Sequence, residues 1–177
     1  MTTCGEDPLK CRSDCHAWGP WLYMSFHRQF LGYVRQKISM RKHSKLKVGN
    51  YVVVGFSAGA NLAGNWGTEM RGYKRFGLCK PKALFLIYAP VEFTMPGKKE
   101  ENNFLTHINQ FYPPSYVVCG RDDKVVPSRN SEELFEKLCE NKVKSFFEEG
   151  NHASHGSGDG TGTDVQGWPI RAADFLS

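Results

Sequence analysis

No part of this 177-residue chain stays apolar for the roughly 20 residues that a helix needs to cross a bilayer. Its opening, MTTCGEDPLK, lacks the hydrophobic core of a signal peptide. These two absences set the expectation of a cytoplasmic protein with no membrane partner. Paired CxxC spacing is also missing, so Cys4, Cys11, Cys15 and His16 have the residue types of a zinc site without its usual spacing, and no metal is expected. Cys79, Cys119 and Cys139 fall in or beside regular elements and, with no export signal, read as reduced thiols. The basic cluster Arg35, Lys37, Arg41, Lys42, Lys45 and Lys47 supplies much of the net charge of +5 but lacks the interleaved aromatics of a single-strand binding platform. A solvated helix face accounts for it, and nucleic acid is not an expected partner. The remaining composition, 40% hydrophobic and 23% charged, is that of a soluble globular protein with one core.

The stretch around which the chain is organised is YVVVGFSAGANLAG, from Tyr51 to Gly64. Val52, Val53 and Val54 form a short continuous apolar run, expected of a strand buried on both faces. They lead directly into Gly55, Phe56, Ser57, Ala58 and Gly59, after which Leu62, Ala63, Trp66 and Met70 recur at helical spacing. A strand that breaks sharply into a helix lifts the serine clear of its neighbours, provided that the residues two before and two after it are small. Gly55 and Gly59 satisfy that condition on paper. Ser57 then lies at a helix N-terminus, where unpaired N–H groups favour an anionic intermediate and the N–H of Ala58 is placed as an oxyanion donor. A bare GxSxG is also compatible with an ordinary glycine-rich turn, and the flanking strand and helix patterns are what favour a nucleophile elbow.

Upstream, residues 1 to about 28 show neither alternation nor helical period. From Phe30 to about Ser44, Leu31, Val34 and Ile38 line one side of a basic helix. Downstream, Ala83 to Tyr88 reads as a second buried strand, and Ala89 to Pro114, with its GKKEENN run, as a surface excursion placed to cover the site. Tyr116 to Cys119 forms a third strand. Pro127 and Ser128 open a helix with the stripe Leu134, Phe135, Leu138 and Cys139. A fourth strand from Val143 to Phe147 leads into a loop holding His152 and His155, and a last helix runs from near Pro169 to Phe175. Such alternation argues a parallel sheet, with sites beyond the carboxyl ends of its strands.

A serine needs an imidazole to take its proton, and the imidazole needs a carboxylate to fix its tautomer. Asp122 and Asp123, and His152 and His155, lie in the loops where such partners would be found, although aspartates also cap helices and loop histidines are common. At these residues the sequence resembles the α/β-hydrolase superfamily, in its small esterase and lipase-like branch, through GFSAGANLAG, VVCGRDDKVVP and HASHGSGDGTGTDVQGW. The resemblance covers 48–177 and leaves 1–47 as an unassigned N-terminal segment with a basic helix. It implies an α/β fold, a partial α/β-hydrolase with a mostly parallel sheet and helices on both faces. In the family the acid lies three residues after a strand-ending glycine and four before a proline, which selects Asp123, between Gly120 and Pro127, over Asp122. Its HG block selects His155, followed by Gly156, over His152.

The resemblance thus implies the catalytic set Ser57, Asp123 and His155, with Ala58 in the oxyanion hole and no cofactor. It implies a carboxylic ester hydrolase acting on small-molecule esters, with short acyl groups, through an acyl-enzyme on Ser57. A peptidase of the prolyl oligopeptidase group would use the same triad. Full members also carry several strands before the elbow and an early HGG or HGGG loop that gives the second oxyanion donor. The one HG pair here is His155–Gly156. The alternative expectation is therefore a truncated, non-catalytic fragment serving as an interaction or structural domain. On either reading, an uncovered sheet edge at the Tyr51 strand would promote self-association.

Overall fold

A computed structural model of the chain describes residues 51–92 and 103–177. The basic helix and the Cys4, Cys11, Cys15 and His16 group lie outside these residues. The described strands are β1 (Val52–Phe56), β2 (Ala83–Ile87), β3 (Ser115–Gly120) and β4 (Ser145–Gly150), and they form one sheet in the order β1-β2-β3-β4. Every pairing is parallel. Between them run α1 (Ala58–Gly67) after β1, a short 3₁₀ turn (Leu105–His107) after β2 and α2 (Arg129–Glu140) after β3, while α3 (Trp168–Asp174) follows β4.

The two inner strands show why the sheet is covered on both faces. In β2, Leu84 and Leu86 pack with Ala60 and Ala63 of α1 and Leu134 and Leu138 of α2, whereas Ala83, Phe85 and Ile87 pack with Trp168 and Ala172 of α3. Successive side chains of a strand point to opposite faces, so an unbroken apolar run is the pattern of a strand with helices above and below. The described parts of the three crossovers lie on the α1 and α2 face, as same-handed connections between strands in simple sequential order must.

The structure corrects several expectations. β1 is not buried on both faces: Val52 and Val53 are half-buried, and Val54 is 47% exposed. Among the described residues β1 is a terminal strand, and α3 packs mainly over β2 and β3. α1 ends at Gly67, which leaves Met70 exposed, outside the apolar stripe expected to include it. β4 starts at Ser145, two residues later than expected, because the chain reverses at Asn141 and Lys142, and Lys142 takes a φ of 56°. In α2, Leu134 and Leu138 are buried while Cys139 is exposed.

The largest correction concerns the span after β2. Its described residues reach into the core: Ala89, Val91, Phe104, Ile108 and Tyr112 join the cluster beneath α1. The Tyr112 hydroxyl donates to the Gly64 carbonyl at 2.8 Å. Gly64 and Gly67 are glycine because these rings press on the helix; a Cβ at Gly64 would lie 2.5 Å from the Phe104 ring. Proline and polar content marked the span as a surface excursion, and its described residues are irregular apart from the 3₁₀ turn. Irregular backbone nonetheless enters a core when its polar groups find partners, as the Leu105 N–H does on Asn103 Oδ1 at 2.9 Å.

Candidate active site

Ser57 holds a φ of 53° and ψ of −125°, a sparsely populated combination for a residue with a side chain. Three neighbours sustain it. Its N–H donates to Ile87 O at 3.0 Å, tying the turn to the end of β2, and its carbonyl accepts from the Ala60 N–H at 2.8 Å. Gly55 is required by close approach, since a Cβ there would lie 2.3 Å from Gly59 O and 2.6 Å from Ala60 Cα. Gly59 is not constrained in this way, because a Cβ there meets nothing within 4 Å. Although Ser57 is the N-cap residue, its side chain makes no capping bond. Ala58 opens α1, where the first N–H groups have no acceptor within the helix.

Ser57 Oγ lies 2.9 Å from His155 Nε2. His155 Nδ1 lies 2.8 Å from Asp123 Oδ2. The Asp123 side chain is fully buried and that of His155 is 11% exposed. The second Asp123 oxygen, Oδ1, accepts from the N–H groups of Val125 at 2.8 Å and Val126 at 2.9 Å, so the carboxylate is fixed by both oxygens. The structure thus brings Ser57, His155 and Asp123 into one hydrogen-bonded line across 98 residues of chain. It does not bring in Asp122 or His152. Asp122 Oδ1 accepts from the Ala153 N–H at 2.9 Å, and Asp164 Oδ2 accepts from the His152 N–H at 2.9 Å, so both carboxylates pin the loop that carries His155.

That loop is glycine-rich for a conformational reason. Gly156, Gly158, Gly160, Gly162 and Gly167 all take positive φ, which carries its tight turns back to α3. Gly120, at the end of β3, admits the loop closely: a Cβ there would lie 1.8 Å from Ala153 O. Cys119, one residue before it, is not a rival nucleophile. Burial, and then the charge of Glu149, push its thiol up to about 12, so it stays protonated at neutral pH. Among the described residues no group of three or more His, Cys, Asp or Glu is placed to hold a metal ion.

Sequence reasoning passed over Tyr88, the residue just beyond β2. It has a φ of 40°, is 5% exposed and sets its ring 4.8 Å, centroid to centroid, from the His155 imidazole. The available signal was slight: a tyrosine followed by Ala89 and Pro90 where a buried strand stops.

The serine hydrolase (FSH1) family matches residues 21–153, well over half of the chain. The chain belongs to this family. The serine hydrolase match begins upstream of Val48, where the motif-based resemblance starts, and stops just short of His155. Comparison with curated proteins finds no match. Among solved structures, the chain is similar to an acetyl ester-xyloside bifunctional hydrolase from Caldicellulosiruptor lactoaceticus. The identity is 21% and the TM-score 0.69, over 83% of this chain and 64% of that one. It is also similar to MGS-M1, an α/β-hydrolase enzyme from a Medee basin deep-sea metagenome library, at 20% identity and a TM-score of 0.67, over 87% and 65% of the two chains. A third similar structure is the carboxylesterase Cest-2923 from Lactobacillus plantarum WCFS1, at 17% identity and a TM-score of 0.60, over 89% and 67%. The chain therefore spans about two thirds of the length of each. These likenesses give the fold: the parallel sheet with helices on both faces matches part of the α/β-hydrolase fold. No helix among the described residues is long and apolar enough to cross a membrane.

Proposed function

We propose that the protein hydrolyses carboxylic esters through an acyl-enzyme on Ser57. The observation that supports this most is the unbroken line from Ser57 Oγ through His155 to Asp123 Oδ2, at 2.9 Å and 2.8 Å. In this reading His155 Nε2 takes the hydroxyl proton as Oγ attacks the ester carbonyl, then returns it to the leaving alcohol. Asp123 holds the tautomer with Nδ1–H directed at itself and stabilises the imidazolium. The Ala58 N–H and the start of α1 stabilise the oxyanion. Water, activated by the same imidazole, releases the acid and restores Ser57. Short acyl groups are the proposed class, in keeping with the acetyl ester named for the Caldicellulosiruptor enzyme. A cytoplasmic setting is part of the proposal, in keeping with the free thiols of Cys119 and Cys139. A fluorophosphonate probe is expected to form a mass adduct on Ser57 in the folded protein and not after heat denaturation. An adduct on another serine with Ser57 unmodified, or no adduct at all, would remove this reading and favour a non-catalytic domain.

Self-association is a second proposal, supported by β1. Val54 and Phe56, on its α3 side, are 47% and 40% exposed, and β1, terminal among the described residues, carries apolar side chains of the kind that pair with another chain. Sedimentation velocity is expected to show concentration-dependent dimers that Val54→Lys reduces. A monomer at every concentration would discard the proposal.

A further inference from the structure

Tyr88 combines features that packing alone does not call for. A φ of 40° is costly for a bulky side chain and persists only where the surroundings over-determine it. Those surroundings are on both sides. The Tyr88 N–H donates to Val118 O at 2.7 Å, and the preceding carbonyl, of Ile87, receives the Ser57 N–H. On the other side, Asn61 Nδ2 donates to Pro90 O at 2.8 Å and the Val91 N–H donates to Asn130 Oδ1 at 3.2 Å. The chain leaving β2 is thereby bolted to α1, α2 and β3, and the backbone twist at Tyr88 turns its ring out of the sheet register. The ring meets the His155 imidazole at 4.8 Å and a tilt of 56°, with Phe56 behind it at 6.1 Å. Burial raises the phenol's pKa, an effect the backbone N–H of Gly158 opposes by favouring the phenolate. Gly158 is held from its other side, where its carbonyl accepts from Trp168 Nε1 at 3.0 Å.

We propose that Tyr88 is a positioning residue, whose strained backbone aims its ring at His155 and holds the imidazole in line between Ser57 and Asp123. The inference rests on the triad reading above. Rotation of the imidazole about its Nδ1 bond to Asp123 would carry Nε2 away from Oγ. A flat ring packed on its side blocks the swing. Displacement by about 1 Å is enough to cost on the order of 10²-fold in rate.

The test compares Tyr88→Leu, Tyr88→Asn and Tyr88→Phe with the parent chain in hydrolysis of p-nitrophenyl acetate, after circular dichroism has established folding. Asparagine tolerates the left-handed backbone, so Tyr88→Asn removes the ring even if Tyr88→Leu fails to fold. Tyr88→Asn and Tyr88→Leu are expected to lower kcat by about 10- to 100-fold with KM changed less than about threefold. Tyr88→Phe, which keeps the ring, is expected to restore most of kcat. Parent-like kcat in Tyr88→Asn, or no rescue by phenylalanine, would overturn the proposal. A second readout does not depend on turnover. In the parent the His155 ring protons should be shifted upfield by the Tyr88 ring current and show one set of nuclear magnetic resonance signals. In Tyr88→Asn they should lose that shift and broaden. If the parent has no Ser57-dependent turnover, the catalytic reading fails, and the resonance comparison still decides whether Tyr88 holds His155: unchanged signals would refute it.

Discussion

Replacing Ser57 by alanine is expected to lower hydrolysis of p-nitrophenyl acetate by on the order of 10⁴-fold, and Asp123→Asn to lower kcat by a similar order. The two effects have different origins. Ser57→Ala deletes the oxygen proposed to attack the ester and leaves the fold alone, since the Ser57 side chain caps nothing in α1. Asp123→Asn keeps an oxygen for the Val125 and Val126 N–H groups but turns an amide N–H toward His155 Nδ1, which forces the tautomer that cannot accept the Ser57 proton. Asp122→Asn retains an acceptor for the Ala153 N–H and should change kcat by less than about tenfold. Steady-state kinetics on the three variants checks the set. A larger loss for Asp122→Asn than for Asp123→Asn would exchange their roles, and full activity in Ser57→Ala would place the chemistry elsewhere.

Phe104→Ala is expected to be the most damaging single change to stability away from the site, at about 3–5 kcal/mol. Its ring is fully buried and lies in the groove that Gly64 leaves in α1, close enough that a Cβ at Gly64 would be 2.5 Å from the ring. No neighbouring side chain from α1 can fill the void, because the facing residue is the glycine itself. The cavity stays open and its full cost is felt. Urea denaturation should show a lower midpoint with an unchanged slope. A loss below about 1 kcal/mol would mean that the segment after β2 contributes little to the core, as its sequence alone suggested.

Pattern and outcome can be compared element by element. β2 and β3 were legible because each is an unbroken apolar run, and a strand that packs helices on both faces has no polar side to display. The elbow was legible because the small residue at Gly55 and the sharp change from strand to helix are local requirements of the turn. α2 was found by its periodicity, since Leu134 and Leu138 face the sheet. Where reading failed, the deciding interaction was distant in sequence. β1 has the same apolar run as β2, but whether Val54 is covered depends on where α3 lies, 114 residues later by its first residue, Trp168. Phe104 is buried by Gly64, which no local window around it contains.

Residue pattern sufficed for a serine on a strand-to-helix turn, an alternating strand and helix order, and a pair of candidate acids and a pair of candidate bases in the following loops. The family resemblance favoured Asp123 and His155 within those pairs; the folded chain is what brings these two to the serine and sets Tyr88 beside them. The reason is geometric. Parallel register sets the ends of β1, β2, β3 and β4 side by side, so residues 98 apart come within 2.9 Å, and a difference of one residue in a loop separates a carboxylate that holds an imidazole from one that holds a backbone N–H.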